Sequence, residues 1–419
     1  MMERFRSDFK IECIDAKGKS AFVNPAKFWL DSKDAVHATD GFMFDPSMLP
    51  GGIINNEFNL FVGWGTGDLS KSENTPDDDE QIKTYFSHLR DVICGEAPEA
   101  YRYIVQWMAH LVQKPDEKPG VALIIKGGQG TGKGMLVKPL GNICGSHFFH
   151  ATKVAHVAGK FNALLQNKLL TFADEFSSSE KASYRRLVSD ALKSLVTEDV
   201  SNIEPKGKDI ITVACYMRLI VSSNHDSPID IAADERRYLV VDVPKENKRP
   251  LSYFKKLDFV GTMSFAKKLH SVLLRVPIES FNPFDVPQTK ELQNQKMLTL
   301  SPPEKYVYDI LESGHWRRTW REKNVEYKNW PEKICVKVEC EVDGSFQGYL
   351  DRNRGMYVNN PSMSLGKVLN MIGGVKKRMT GNGLWYYQLP SLEVSRKKWD
   401  ANFKIETNWD LSPEYGDLL

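Results

Sequence analysis

Residues 121–137 read Val121-Ala122-Leu123-Ile124-Ile125, then Lys126-Gly127-Gly128-Gln129-Gly130-Thr131-Gly132-Lys133-Gly134, then Met135-Leu136-Val137. A short, continuous apolar run is how a strand buried on both faces of a parallel sheet reads. Met135 to Val137 open a helix. Strand, glycine loop and helix in that order turn a loose pattern into a phosphate-binding loop. The glycines let backbone N–H groups close around phosphate oxygens, the helix N-terminus adds partial positive charge, and Lys133 reaches the terminal phosphates. Gly127, Gly128, Gln129, Gly130, Thr131, Gly132, Lys133 and Gly134 are therefore the candidate nucleotide contacts, with ATP the expected ligand. The Ser or Thr that usually follows the lysine and binds Mg²⁺ is Gly134 here, so the metal must lean on other groups.

Three more apolar runs follow, Leu169–Ala173, Leu219–Val221 and Leu239–Val241, and they predict further strands of one sheet. The first ends in Asp174-Glu175, 41 residues after Lys133. Ligands bind at the carboxyl ends of parallel strands, so this pair can face the loop. Asp174 is then the candidate Mg²⁺ ligand and Glu175 the residue that polarises an attacking water. The second run ends in Ser222-Ser223-Asn224, whose amide can contact a γ-phosphate. Before the third stand Arg236 and Arg237, either surface charge or a cation reaching a neighbouring subunit's site.

Composition sets the frame around this core. With 419 residues, 41% hydrophobic and 26% charged, the chain has material for several folded domains. Lys and Arg exceed Asp and Glu by only two, so a basic surface has to be found locally. Six cysteines without a CxxC spacing read as free thiols of a reducing compartment, and no apolar run is long enough for a membrane span. The pattern divides the chain into an arm or small module (1–75), a helical subdomain (76–119), the phosphate-loop domain (120–250), a helical connector (251–300) and a C-terminal module (301–419). Helical spacing is read for 82–93, 101–112 and 251–296. Between Arg352 and Lys398, nine Lys/Arg face one acid, a net charge of +8, with Tyr357, Trp385, Tyr386 and Tyr387 interleaved. A helix near Ser364–Ile372, the cations Lys376, Lys377 and Arg378, and a strand pair turning at Gly381–Gly383 fit a winged-helix-like module that docks nucleic acid or a partner.

In this order and compactness, the motifs resemble those of superfamily 3 helicases, ring-forming AAA+ proteins of viruses, phages and plasmids. The resemblance covers about residues 80–250: the Gln113-Lys114-Pro115 lead-in, loop 127–134, pair 174–175, the strand ending at Asn224, and Arg236-Arg237. Within the superfamily the chain is similar to the primase-helicase branch, and to the helicase-like C-terminal part of a phage primase-polymerase. Several phage members of that branch also carry Gly after the lysine.

The resemblance implies an α/β, AAA+-type fold and ATP hydrolysis with Mg²⁺ in a homo-oligomeric, hexameric ring on single-stranded DNA in the host cytoplasm. A primase-polymerase domain is expected on the N-terminal side. It also implies a DNA-contacting hairpin at 203–210, making Lys206 and Lys208 candidates, with Lys193 on the preceding helix. Arg236 or Arg237 would then be an arginine finger. Two other readings stay open: an ATP-binding ring that clamps DNA with little hydrolysis because of Gly134, and a monomeric phosphotransferase, which the lysine hairpin and Arg pair disfavour.

Overall fold

The computed structural model describes residues 11–14, 20–23, 38, 41–48, 50–67, 69, 79–95, 97–152, 155–158, 163–174, 182–203, 211–225, 236–243, 249–298, 300–319, 325–336, 345–353, 357–380, 383–405, 407 and 409. Strands β1 (Ile11–Ile14) and β2 (Ser20–Val23) pair antiparallel. A second small sheet follows, in which β3 (Gly41–Met43) and β4 (Ile53–Ile54) flank β5 (Glu57–Asn59). Helix α1 (Glu80–His88) starts at Asp79, whose carboxylate accepts the N–H groups of Gln81 and Ile82. It runs on as a π turn over Leu89–Ile93, and α2 (Pro98–Gln113) follows with Pro in its first turn.

The centre is a five-stranded parallel sheet. Its elements are β6 (Ala122–Gly127), α3 (Lys133–Cys144), β7 (Phe148–Ala151), α4 (Ala155–Ala158), β8 (Leu170–Ala173), α5 (Ala182–Thr197), an antiparallel ribbon of β9 (Val200–Ile203) and β10 (Ile211–Ala214), then β11 (Arg218–Ser223) and β12 (Tyr238–Val243). The order across the sheet is β12-β6-β11-β8-β7, every neighbouring pair parallel. The continuous apolar runs mark the inner strands: β6 and β11 are buried almost throughout. β7 escaped the sequence reading because it is an edge strand, Phe148-Phe149-His150-Ala151, with only Ala151 buried.

Arg218, 1% exposed at the start of β11, donates to the carbonyl oxygens of His110, Lys114, Pro115 and Glu117. One guanidinium thus satisfies the C-terminal carbonyls of α2 and fastens that helix to the sheet. Burial holds its pKa down, at about 10.

Beyond the sheet come α6 (Leu251–Lys255), a 3₁₀ turn at Asp258–Gly261, α7 (Met263–Leu273) and α8 (Lys290–Leu298). The continuous helix read over 251–296 is therefore corrected: residues 274–289 form an irregular strap. Pro277, Pro283 and Pro287 break it by removing donors and fixing φ. The strap lies against α2, with Tyr103 donating to the Pro283 carbonyl and Phe281 packed edge-on against Tyr103.

One apolar cluster runs from Phe44 and Phe61 through α1, α2, α3 and one face of the sheet to α7 and Val286. The segments read as 1–75, 76–119, 120–250 and 251–300 all contribute to it, so those boundaries mark changes of element rather than separate cores. A second cluster starts at α9 (Pro302–Ser313). It gathers residues of β13 (His315–Thr319), which pairs with β14 (Val325–Asn329), then of β15 (Lys333–Ile334), α10 (Phe346–Arg352), α11 (Pro361–Met371), β17 (Trp385–Gln388) and α12 (Leu392–Phe403), while β16 (Val375–Arg378) stays exposed. β15, β17 and β16 form a three-stranded sheet in that order. Among the described residues no helix is long and apolar enough to cross a membrane.

Candidate functional site

The parallel register brings three strand ends to one edge of the sheet. Ser223 of β11 lies level with Lys126 of β6, so Asn224 arrives beside Gly127. Ala173 of β8 lies level with Val221, so Asp174 arrives beside Ser222. These ends and the start of α3 surround a cavity of about 330 Å³ lined by residues 129–135, Lys138, Asp174, Asn224 and Phe254.

Inside it, the Lys133 ammonium donates to the carbonyl oxygens of Gly127 (2.7 Å) and Gly128 (2.9 Å) and to Asn224 Oδ1 (2.8 Å). Thr131 Oγ1 closes the turn by donating to the Gly128 carbonyl. Asp174 accepts a hydrogen bond from Ser222 Oγ at Oδ1, while Oδ2 stands 3.6 Å from His150 Nε2. The His150 ring stacks on Phe172.

Glycine is required at two places in the loop. Gly127 has φ +146°, and a Cβ there would lie 2.8 Å from the Val243 carbonyl oxygen. Gly132 has φ +94°, and its Cβ would lie 2.7 Å from His88 Cε1 and 3.0 Å from Phe254 Cε1. Gly134 differs: it is helical, and nothing lies within 4 Å of an added Cβ.

His88 is fully buried, and burial lowers its pKa, so the ring is neutral. One ring nitrogen faces the Gly132 carbonyl (Nε2, 3.2 Å) and the other the Tyr253 hydroxyl (Nδ1, 3.0 Å). A carbonyl can only accept, which fixes the proton on Nε2 and leaves Nδ1 to accept from Tyr253. His88 thereby ties the glycine loop to α1 and α6. Behind the loop, Lys126 and Glu291 form a buried ion pair that anchors α8 to the end of β6.

Of the residues singled out in the sequence, Gln129 to Gly134, Asp174 and Asn224 line the cavity, with Gly127 and Gly128 at its back. Glu175, Lys206 and Lys208 lie outside the described residues. Arg236 and Arg237 precede β12, and the Arg237 carbonyl accepts the Ala122 N–H at the start of β6. That is the sheet edge opposite the cavity, so the structure does not bring the two arginines to this chain's own site. Lys193 is half-buried on α5, and Lys376, Lys377 and Arg378 are exposed on β16 in the C-terminal module.

Sequence reasoning missed His88, His150, Lys138, Ser222 and Phe254. Lys138, on α3 five residues past Lys133, and Ser222, two residues before Asn224, carried local signals; His88 and Phe254 reach the loop, and His150 reaches Asp174, through tertiary contacts. An Mg²⁺ ion fits the donor chemistry: Asp174 is a partly exposed carboxylate in the cavity, and this cation is commonly held by one or two carboxylates plus phosphate and water. Among the described residues no group of three His, Cys, Asp or Glu side chains could hold an ion alone.

A family of unknown function, DUF5906, matches residues 125–237, the stretch from the glycine loop to the arginine pair. The DNA primase-polymerase of Nitratiruptor phage NrS-1 is 34% identical over 138 residues, which are 33% of this chain and 19% of that protein. The matched stretch thus spans about a fifth of that relative. Two structures of the NrS-1 C-terminal region superpose with TM-scores of 0.61 and 0.60 at 20% and 18% identity. They cover 89% and 91% of this chain, and 92% and 96% of theirs. Similar in sequence over a third of its length and in fold over about nine-tenths, the chain resembles a phage primase-polymerase and its C-terminal region, as the motif order led us to expect.

Proposed function

We propose that this chain is an ATP-dependent ring helicase or translocase on single-stranded DNA, acting in phage or plasmid replication beside a primase-polymerase domain. The observation that carries the reading is the convergence of Lys133, Asn224 and Asp174, from three adjacent parallel strands, on one cavity walled by a glycine loop at a helix N-terminus.

In this reading the loop N–H groups and Lys133 bind the phosphates, and Asn224, already hydrogen-bonded to Lys133, senses the γ-phosphate. Asp174, held by Ser222, would hold Mg²⁺, which neutralises charge on the phosphates when bound. Glu175 orients the attacking water. Arg236 or Arg237, remote from this chain's own cavity, would complete the site of the next subunit in an AAA+ hexamer. Lys206 and Lys208, which fall between β9 and β10 in sequence, Lys193 on α5, and Lys376, Lys377 and Arg378 in a winged-helix-like module would contact DNA.

The test is steady-state ATP hydrolysis with and without single-stranded DNA, for the chain and for Lys133→Ala, across Mg²⁺ concentrations. DNA-stimulated turnover lost in the variant is the expected result. Gly134, which offers no hydroxyl, favours a second reading: a ring that binds ATP to clamp DNA for the polymerase with weak hydrolysis. Lys133-dependent ATP binding without turnover at any Mg²⁺ level would replace the motor by this clamp.

A further inference from the structure

The C-terminal module shows unequally placed charge. Its cations on α12 have internal work: Arg396 donates to the Leu311 and Glu312 carbonyls at the end of α9, and Lys397 pairs with Glu393. Helix α11 carries a single cation, Lys367. Arg352 on α10 and Lys398 on α12 are exposed singly, whereas four cations gather on the three-stranded sheet, whose outer strand β16 is exposed at all four residues. Among the described residues no ion pair involves Lys333, Lys376, Lys377 or Arg378.

The register sorts these side chains onto two faces. Lys376 pairs with Tyr387 and Arg378 with Trp385 on one, and Lys377 pairs with Tyr386 on the other, where Lys333 pairs with Gln388. Tyr387 is buried against α11, but Trp385, two residues nearer the turn, leaves the core and is 54% exposed. Lys376 Nζ lies 5.1 Å and Arg378 Cζ 6.0 Å from its ring centroid. On the opposite face Lys333 Nζ lies 5.7 Å from the Tyr386 ring. Lysines on an edge strand also discourage strand addition, but that role does not require a half-exposed tryptophan at the end of the ribbon. The other described tryptophans are buried or half-buried.

We infer that the turn end of the β16–β17 ribbon is a binding site for single-stranded DNA, with Trp385 the platform for a base and Lys376, Lys377, Arg378 and Lys333 the phosphate contacts. The inference rests on the proposed action on single-stranded DNA and deepens it by making the C-terminal contact a stacking site for unpaired bases on Trp385. A half-exposed indole flanked by Lys376 and Arg378 suits unpaired bases, which stack without sequence readout. A duplex hides its bases, and the near-absence of charge on α11 leaves that helix poorly equipped to enter a charged groove.

The experiment is fluorescence anisotropy of a labelled oligothymidylate and of a blunt duplex of equal length on the full chain, across salt concentrations. Trp385→Ala should weaken oligothymidylate binding by about 5- to 100-fold with an unchanged salt slope, and Trp385→Phe should restore most of it. A triple Lys376→Gln, Lys377→Gln, Arg378→Gln variant should lower the slope of log K against log salt by about 2. Thermal stability should stay at the wild-type level in all of them. Wild-type affinity in Trp385→Ala, or duplex bound as tightly as the single strand, would overturn the inference. If Trp385→Ala binds normally while Lys206→Gln/Lys208→Gln does not, the single-strand reading survives and this site falls. If the unaltered chain ignores oligothymidylate altogether, the parent reading falls with it.

Discussion

Gly132 and Gly134 flank the same lysine, yet the structure assigns them opposite tolerances. At Gly132 an alanine must adopt φ +94°, outside the ordinary range of L-residues, at a cost of about 1–2 kcal/mol. Its Cβ also meets His88 at 2.7 Å and Phe254 at 3.0 Å. The His88 ring cannot swing aside without breaking its bonds to Gly132 and Tyr253, so overpacking adds about 1–3 kcal/mol. Gly132→Ala should therefore lose about 2–5 kcal/mol and most nucleotide affinity.

At Gly134 a serine enters open space on the first turn of α3, where replacing glycine stabilises a helix by up to about 0.5 kcal/mol. Its hydroxyl faces the cavity that holds Asp174 and is expected to lower the half-saturating Mg²⁺ concentration of ATP hydrolysis by about 5- to 30-fold, the equivalent of about 1–2 kcal/mol for one polar contact to a charge. Denaturation melts and ATP titrations of the two variants, read side by side, decide the matter. A destabilised Gly134→Ser, or a Gly132→Ala with wild-type stability and ATP affinity, would refute the loop geometry from which these magnitudes come.

Removing the histidine tie by His88→Leu should raise the ATP dissociation constant by about 5- to 30-fold, since the Gly132 carbonyl loses its donor; equilibrium nucleotide binding checks it. Glu291→Ala leaves Lys126 charged and buried, and should cost about 3–5 kcal/mol in chemical denaturation, whereas the double variant Lys126→Met/Glu291→Leu should recover most of that. His110 and His270 are both held neutral by burial, with pKa values lowered to about 4. Below about pH 6.5 the unfolded chain takes up protons that the native one refuses, so stability falls from pH 6.5 toward 4, by about 2 kcal/mol per histidine at pH 5. Melting temperature against pH, with His270→Gln showing a shallower fall, is the measurement.

The inner sheet was legible because strands buried on both faces leave unbroken apolar runs, as in β6 and β11. The same logic hid β7, whose partner lies on one side only and whose side chains are mostly half-buried or exposed. Helical periodicity found α6 and α7 but ran past the prolines of 274–289, where Phe281 and Val286 still turn inward without a helix. Apolar spacing recorded that those residues pack, which is not the same as how their backbone runs.

The candidate site divides along a similar line. Loop residues 127–134 were readable because close backbone approach and a positive φ demand glycine at fixed neighbouring positions. Asp174 and Asn224 were readable because the residue following a buried parallel strand has only one edge of the sheet to occupy. His88 and Phe254 stand 44 and 122 residues from Gly132 in sequence, and nothing local distinguishes a histidine that holds the loop from one packed in a helical core. Their placement has a consequence for the motor reading. The Gly132 carbonyl is held by α1 through His88, whose other nitrogen is held by α6 through Tyr253. A loop that moved with nucleotide state would have to carry both helices with it or break a buried hydrogen bond, which costs about 1–3 kcal/mol when the partner is left unsatisfied. Tyr253→Phe removes only the outer hydroxyl. If loop and helices move together, it should change the nucleotide-dependent protection of 80–93 from hydrogen exchange; equal protection in both proteins would show that the loop moves alone.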